Sequence, residues 1–405
     1  MVSGPRTSQP VAGDLLNPLQ LVDYINRNAS AEYAAVNKLP LQLRMLEMNL
    51  DGLDTPALWV ELDVMERNLS RMAEYCRSHG LALRPHIKTH KTPELARRQL
   101  ELGAVGITCA KVTEARIMAE SGCQEILLAY PVWGEHKWPK LAALAERVKL
   151  TIATDSLEQA KALAEGLGPA AERLSLLVEV DVGMGRCGLP IDNRLTESVT
   201  RIAEVGIAVR GMMFYPGQIR KVEEKTIEAL SERISEACES FQQAGVTTEV
   251  VSGGSTPTAF YSHLQKGLTE IRPGTYIFND CNTVNTGVVG WEDCALKLRC
   301  RVVSTSVPGV AVIDGGNKCF SDAPSAAGKG FGRLAAYPQV PCEKMWEEHG
   351  LLRTESSGVS LRVGEPVDVI PNHACTAVNM HRILYGVRNG VVEQIWQIAA
   401  QGRIQ

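Results

Sequence analysis

Apolar residues recur along this chain in two rhythms, and the change between them divides it. Between residues 14 and 50, Leu15, Leu16, Leu19, Val22 and Ile25 fall at helical spacing, and the run stops at the turn signal Asp51-Gly52. This predicts an N-terminal helical extension over residues 1–52. Ala57-Leu58-Trp59-Val60-Glu61-Leu62 then reads as a strand and 63–79 as an amphipathic helix. From residue 81 short apolar runs alternate with polar, helix-period segments. Strands are predicted at 82–87, 106–110, 125–130, 149–154, 174–182, 208–215, 248–252 and 270–278, and helices at 93–102, 112–121, 157–166 and 221–243. Eight strands, each but the last followed by a helix, predict an α/β fold of the (β/α)8 TIM-barrel type over 53–288, because parallel strands need crossover connections. A doubly wound sheet is the competing arrangement.

Beyond residue 290 the helical pattern stops. Strands are predicted at 296–305, 309–314, 366–370, 381–387 and 391–399, separated by Pro-Gly, Gly-Gly and Asn-Gly turns. A smaller, mostly β domain over 289–405 follows from this, with the Ala/Ser/Gly-rich stretch 321–332 as a flexible loop.

Composition narrows the classes of function. With 45% apolar and 22% charged residues the chain has the make-up of a soluble globular protein, and a net charge of -4 gives no basic footprint for nucleic acid. No run of about eighteen apolar residues suits a membrane span, and no apolar signal segment follows the polar stretch 1–13. The 11 cysteines form no C-x-x-C pair, which points to a reducing compartment; the expectation is a cytoplasmic protein.

In a parallel barrel the working residues sit at the C-terminal ends of the strands. Those ends read Arg84-Pro85-His86-Ile87-Lys88-Thr89-His90-Lys91, Asp181-Val182-Gly183-Met184-Gly185-Arg186, Tyr215-Pro216-Gly217-Gln218, Ser252-Gly253-Gly254-Ser255-Thr256 and Arg272-Pro273-Gly274-Thr275-Tyr276. A strand-end lysine beside an apolar interior is a candidate for Schiff-base formation; on chemistry alone Lys88, Lys91 and Lys111 are equal candidates. The small, hydroxyl-rich turn from Ser252 to Thr256 suits a phosphate, or else is an ordinary strand-to-helix turn. Gly183-x-Gly185-x-x-Gly188 formally fits a dinucleotide fingerprint, but it lies mid-chain, Pro190 follows at once and no acidic residue ends the next strand, so it is set aside. In His373-Ala374-Cys375, extended backbone would put imidazole and thiolate on one face, where they can grip one ion; zinc suits that pair better than magnesium. His79, His136, His263 and His349 read as surface or capping residues, and His381, on a predicted strand, is not assigned to the site.

Taken together, the segments from Asp54-Thr55-Pro56 to the C-terminal end resemble the D-threonine aldolase and D-serine dehydratase family, a branch of the alanine-racemase-like pyridoxal enzymes. The motifs that carry the resemblance are Arg84 to Lys91, Asp181 to Gly188, Ser252-Gly253-Gly254-Ser255-Thr256-Pro257-Thr258, Glu270-Ile271-Arg272-Pro273-Gly274-Thr275-Tyr276 and Pro371-Asn372-His373-Ala374-Cys375. The resemblance implies pyridoxal 5'-phosphate held covalently by Lys88, Arg186 facing the pyridine nitrogen with Tyr215 among the cofactor contacts, and Ser252, Gly253, Gly254, Ser255, Thr256, Gly274 and Tyr276 around the phosphate. It further implies a divalent metal on His373 and Cys375, zinc first, with manganese or magnesium as alternatives, and a homodimer.

One departure from the family pattern bears on the reaction. Aldolases of the family carry Tyr-His-Gly where this chain has Tyr215-Pro216-Gly217, and more often His-x-Asp where it has His-x-Cys. Both differences lean toward dehydration of a D-3-hydroxy amino acid, of the D-serine or 3-hydroxyaspartate type, to a 2-oxo acid and ammonia. Retro-aldol cleavage to glycine and an aldehyde is the first alternative, and racemisation, which needs a second base across the cofactor, is another. A non-catalytic pyridoxal-phosphate carrier is disfavoured by the second domain and the metal pair.

Overall fold

The computed structural model describes residues 48–405 apart from 327 and 329, so the predicted N-terminal helix lies almost entirely outside the described residues. After a first strand, β1 (Ala57–Glu61), the apolar runs form β2 (Ala82–Leu83), β3 (Ile107–Cys109), β4 (Glu125–Leu128), β5 (Lys149–Thr154), β6 (Leu174–Asp181), β7 (Leu189–Pro190), β8 (Ala208–Met213), β9 (Val250–Gly253) and β10 (Glu270–Ile271). Eight of them follow the order β2-β10-β9-β8-β6-β5-β4-β3, while the two-residue β7 pairs with β6 off this path. The two edges of the sheet meet: His86 bridges Thr108 in parallel, and Val105 donates its N–H to the Leu83 carbonyl at 2.9 Å. A parallel sheet curled back on itself in this way is consistent with the predicted barrel.

Strands covered on both faces need near-continuous apolar sequence, and β6 buries Leu174, Leu176, Leu177, Val178 and Val180 in a single run. The crossover helices bury only a stripe. The helix Glu224–Gln243 buries Ile227, Leu230, Ile234, Ala237 and Phe241, spaced three or four residues apart, against the sheet.

The second sheet holds β11 (Leu296–Ser304), β12 (Val310–Ile313), β13 (Gly332–Leu334), β14 (Tyr337–Met345), β15 (Gly350–Arg353), β16 (Pro366–Pro371), β17 (Ile383–Arg388) and β18 (Val391–Gln397). Its order is β12-β15-β14-β13-β16-β11-β1-β17-β18, and an extra β12–β11 pairing closes the first six into a small antiparallel barrel. The expectation for residues 57–61 is corrected here. Read by position as the entrance to the parallel barrel, β1 instead runs antiparallel to β11 and parallel to β17, and Trp59 donates its indole N–H to Asp368 at 2.8 Å. A short apolar run reports that a strand forms, not which sheet adopts it; the chain enters the β unit first and the parallel barrel with the helix Leu62–Ser78. Strands β13, β14 and β15 carry mixed polar faces and were not expected. All 11 cysteines are unpaired, and no helix among the described residues is long and apolar enough to cross a membrane.

Candidate active site

The C-terminal ends of the parallel strands open into one cavity of about 740 Å³, within the range of small-molecule and cofactor sites. On one side it is lined by Lys88, Glu179, Arg186, Tyr215, Gly254 to Pro257, Arg272 and Gly274, and on the other by Asp280, Asn282, Ala323 to Ala326 and His373.

Lys88 reaches this cavity through a short 3-10 turn, Ile87–Thr89, that begins where β2 runs out; His86 caps the turn by accepting the Lys88 N–H at 3.4 Å. The three candidate lysines now separate. Lys91 is buried against Glu114 at 3.3 Å and donates to the Ala400 carbonyl, and Lys111 sits 3.5 Å from the centroid of Tyr130. The Lys88 amine is half-buried at the cavity wall, 6.0 Å from the centroid of Tyr215, with no carboxylate on it among the described residues. Arg186 stacks on the same ring at 4.8 Å and lies 3.9 Å from Glu179. Burial pushes the Glu179 carboxyl up, against the pull of Arg272 and Arg186. His86 is driven well down by burial, with Lys88 and Arg272 adding to the effect, and is therefore a neutral imidazole.

The predicted phosphate turn divides into two layers. Gly254, Ser255 and Thr256 line the cavity; Gly254 has φ +86°, and the Thr256 hydroxyl is buried without a hydrogen-bond partner. An orphaned hydroxyl in a glycine-rich turn fits a phosphate oxygen. Ser252 and Gly253 lie beneath, which corrects their expected contact role. The Ser252 hydroxyl donates to Glu270 at 2.6 Å and accepts from Arg272 at 2.7 Å, inside a buried network that also joins Arg84 to Glu270. A side chain at Gly253 would meet the Phe214 ring at 2.1 Å, so this glycine serves close packing. Gly274 lines the cavity, whereas Tyr276 is buried behind it with its hydroxyl accepting from Gln99 at 2.9 Å. The Gly183 to Gly188 turn is not a diphosphate cradle: Asp181 accepts the N–H groups of Gly183, Met184 and Gly185 itself.

His373 and Cys375 come together by a different route from the expected one. The strand ends at Pro371, His373 is the extended N-cap residue and Cys375 lies in the first turn of the helix Ala374–Met380. The pair is linked across this strand-to-helix turn. His373 lines the cavity; Cys375 is buried just behind it, 3.2 Å from the Thr89 hydroxyl on the Lys88 turn. Asp280, buried and 93 residues distant in sequence, holds His373 Nδ1 at 3.0 Å and accepts the Ala374 N–H at 2.9 Å. The Asp280 carboxylate is itself fixed by the Thr283 amide and hydroxyl. The Cys375 thiolate raises His373, with burial opposing and Asp280 adding. For Cys375, burial acts upward but His373, Lys88 and Thr89 outweigh it, so its net direction is down. A thiolate and an imidazole with its second nitrogen on a carboxylate are the donor set of a borderline metal ion. Among the described residues no group of three or more His, Cys, Asp or Glu surrounds an ion, so water or substrate completes any coordination here. His381 bonds the Cys319 carbonyl at 2.9 Å and takes no part.

Sequence reading missed Asp280 and Glu179, and quoted His86, Thr89 and Arg272 within strand-end motifs without giving them a role. For Asp280 the visible signal is Asp280-x-x-Thr283, a capping box at the start of the helix Cys281–Asn285; nothing in the spacing ties it to His373. Asp280→Asn is expected to weaken metal affinity about 10–100-fold with little change in melting temperature, which equilibrium dialysis and a thermal melt check together.

Comparison with known proteins places this geometry. Residues 60–281 match the family model "Alanine racemase, N-terminal domain" and residues 295–387 match "Putative serine dehydratase domain". A D-threonine aldolase from Arthrobacter sp. is 31% identical over 364 residues, covering 87% of this chain and 94% of that protein. The crystal structure of D-threonine aldolase from Filomicrobium marinum superposes with a TM-score of 0.83 at 30% identity, covering 89% of this chain and 98% of the other. D-threo-3-hydroxyaspartate dehydratase from Delftia sp. HT23 gives 0.79 at 30% identity, covering 86% and 98%, and a variant of D-threo-3-hydroxyaspartate dehydratase has been solved in a metal-free form. With a family model spanning more than half its length and relatives of this identity matched along nearly their whole length, the chain belongs to the alanine-racemase-like family, in its D-threonine aldolase and D-serine dehydratase branch.

Proposed function

We propose that the chain is a pyridoxal-phosphate-dependent, metal-assisted lyase acting on D-3-hydroxy amino acids, with dehydration to a 2-oxo acid and ammonia as its reaction. The observation that carries the proposal is an imidazole–thiolate pair, the imidazole facing the cavity and braced by Asp280 and the thiolate buried behind it, in the cavity that also holds the Lys88 amine, which has no carboxylate partner among the described residues.

Lys88 would hold the cofactor, Gly254, Ser255, Thr256 and Gly274 its phosphate, and Arg186 its pyridine nitrogen, with Tyr215 alongside. Bound there, pyridoxal phosphate supplies an electron sink that acidifies the Cα–H of an amino acid joined to it. His373 and Cys375 would hold the metal, which supplies a Lewis acid at the β-hydroxyl. The chain's own residues do the rest. Lys88 Nζ takes the α-proton once it is free of the cofactor. Asp280 keeps the His373 ring from rotating, so its other nitrogen stays directed toward the reacting side. Arg186, 3.9 Å from Glu179, would stand as a cation beside the ring nitrogen and would disfavour its protonation. Loss of the α-proton and of the β-hydroxyl, followed by addition of water, gives the 2-oxo acid and ammonia.

Dehydration is preferred to retro-aldol cleavage because Pro216, in the turn beside Tyr215, has no group to deprotonate a β-hydroxyl. Incubation of the holoenzyme with D-serine, D-threonine and 3-hydroxy-D-aspartate, assaying 2-oxo acid, glycine and L-enantiomer separately, tests this. The expected product is the 2-oxo acid. Glycine with an aldehyde moves the proposal to the aldolase, and the inverted enantiomer alone moves it to a racemase. We further propose a cytoplasmic homodimer, the compartment from the 11 unpaired cysteines and the dimer from the family resemblance.

A further inference from the structure

Outside the cavity, two imidazoles from distant parts of the chain stand face to face. His79 is the C-cap of the 17-residue helix Leu62–Ser78, and His263 lies in the 3-10 turn Ala259–Leu264, which follows the phosphate turn. Their ring centroids are 4.4 Å apart with the planes tilted by 37°. Both rings are exposed. Each is also held by its Nδ1: His79 donates to the Tyr75 carbonyl at 2.9 Å, with Ser78 Oγ at 3.1 Å, and His263 Nδ1 meets the Tyr75 hydroxyl at 2.8 Å.

We propose that His79 and His263 form a second metal site, a two-imidazole clamp for a divalent ion of the zinc class, separate from the His373 and Cys375 pair. Three features carry this. On His79 the carbonyl partner makes Nδ1 the donor and leaves Nε2 as the lone-pair nitrogen; His263 takes the same tautomer when its Nδ1 donates to the Tyr75 hydroxyl, and an outer hydrogen bond of this kind accompanies almost every metal-bound histidine. Two imidazoles bound to one ion through nitrogens about 2.1 Å away, at right-angled to tetrahedral geometry, have centroids roughly 4.6–5.3 Å apart, so the observed 4.4 Å needs only a small opening to reach the right-angled case. Finally, a 17-residue helix ends at His79, and the negative end of its dipole favours a cation there. Of the nearby cations, Arg77 is paired with Glu74, and Arg71 lies over Phe260 with Asp293 at 3.8 Å. Waters complete the coordination, since no third His, Cys, Asp or Glu among the described residues joins the pair. An ion there ties the helix Leu62–Ser78 to the turn that leads out of the phosphate cradle.

Equilibrium dialysis of the holoenzyme against zinc chloride tests the clamp. The wild-type protein is expected to bind, at micromolar free zinc, one equivalent more than it carries at His373 and Cys375. His79→Gln and His263→Gln each lose that equivalent, while Cys375→Ala loses the other one, so the two sites are counted independently. Tyr75→Phe removes the His263 partner and is expected to weaken the extra site about tenfold. An unchanged melting temperature of the variants without added zinc shows that the fold is intact. The clamp is overturned by an extra equivalent that survives in both histidine variants, by its absence from the wild-type protein, or by full affinity in Tyr75→Phe.

Discussion

Lys88→Ala abolishes covalent attachment of the cofactor and lowers turnover by at least about 10³-fold, because the variant loses both the attachment point and the group that carries the α-proton. The wild-type protein is expected to be yellow as isolated, and borohydride treatment followed by peptide mapping is expected to place the reduced cofactor on Lys88. Competing lysines are already distinguished by their surroundings. Lys91 is spent on Glu114 and the Ala400 carbonyl, and Lys111 is stacked on Tyr130. A reduced adduct on Lys111 would refute the assignment of Lys88. Restored attachment without turnover in a variant supplied with an exogenous amine would separate holding the cofactor from moving the proton.

Removal of the metal is expected to produce the second large effect. A Lewis acid on a leaving hydroxyl supplies several kcal/mol of transition-state stabilisation, so chelation is expected to reduce turnover by roughly two to three decades. The cofactor's absorbance is expected to stay in place and added zinc to restore activity. Cys375→Ala mimics the chelator, since one strong donor of two is lost. A purely structural metal behaves differently. Cys375 lies in the helix Ala374–Met380 and touches Thr89 on the Lys88 turn, so a stapling ion would, on removal, lower the melting temperature and loosen the cofactor along with activity. Metal content, absorbance, melting temperature and turnover measured on the same chelated sample distinguish these cases. Full turnover in a sample with no metal at His373 and Cys375 rules out a catalytic ion and favours the racemase reading.

Much of the fold was legible because its signals are local. The eight apolar runs from residue 82 onward coincide in place with β2 to β6 and β8 to β10, since a strand buried on both faces must be apolar throughout whatever its neighbours are. Lys88, Arg186 and Gly254 to Thr256 line one cavity for a related reason: strand ends in a parallel barrel converge, so residues that follow the runs meet at one mouth; His373 follows an antiparallel strand and was singled out by its His-x-Cys pattern instead. The strand at 57–61 shows the limit. Its apolar content fixes its conformation, but adoption by β11 and β17 depends on edges built some 240 and 330 residues later.

The sequence by itself determined the alternation of strand and helix, the change to a β-rich second unit, and the residue types available for chemistry. Only the tertiary structure decided which of them act together. It turned the Ser252 hydroxyl into the Glu270 and Arg272 network and left the Thr256 hydroxyl unpartnered at the cavity. It also brought Asp280 to His373 and set His79 against His263. The physical reason is that hydrophobic periodicity is written in neighbouring residues, whereas a hydrogen bond needs only that two atoms end about 3 Å apart, and for residues 93 or 184 positions apart that closeness is a property of the packed chain alone.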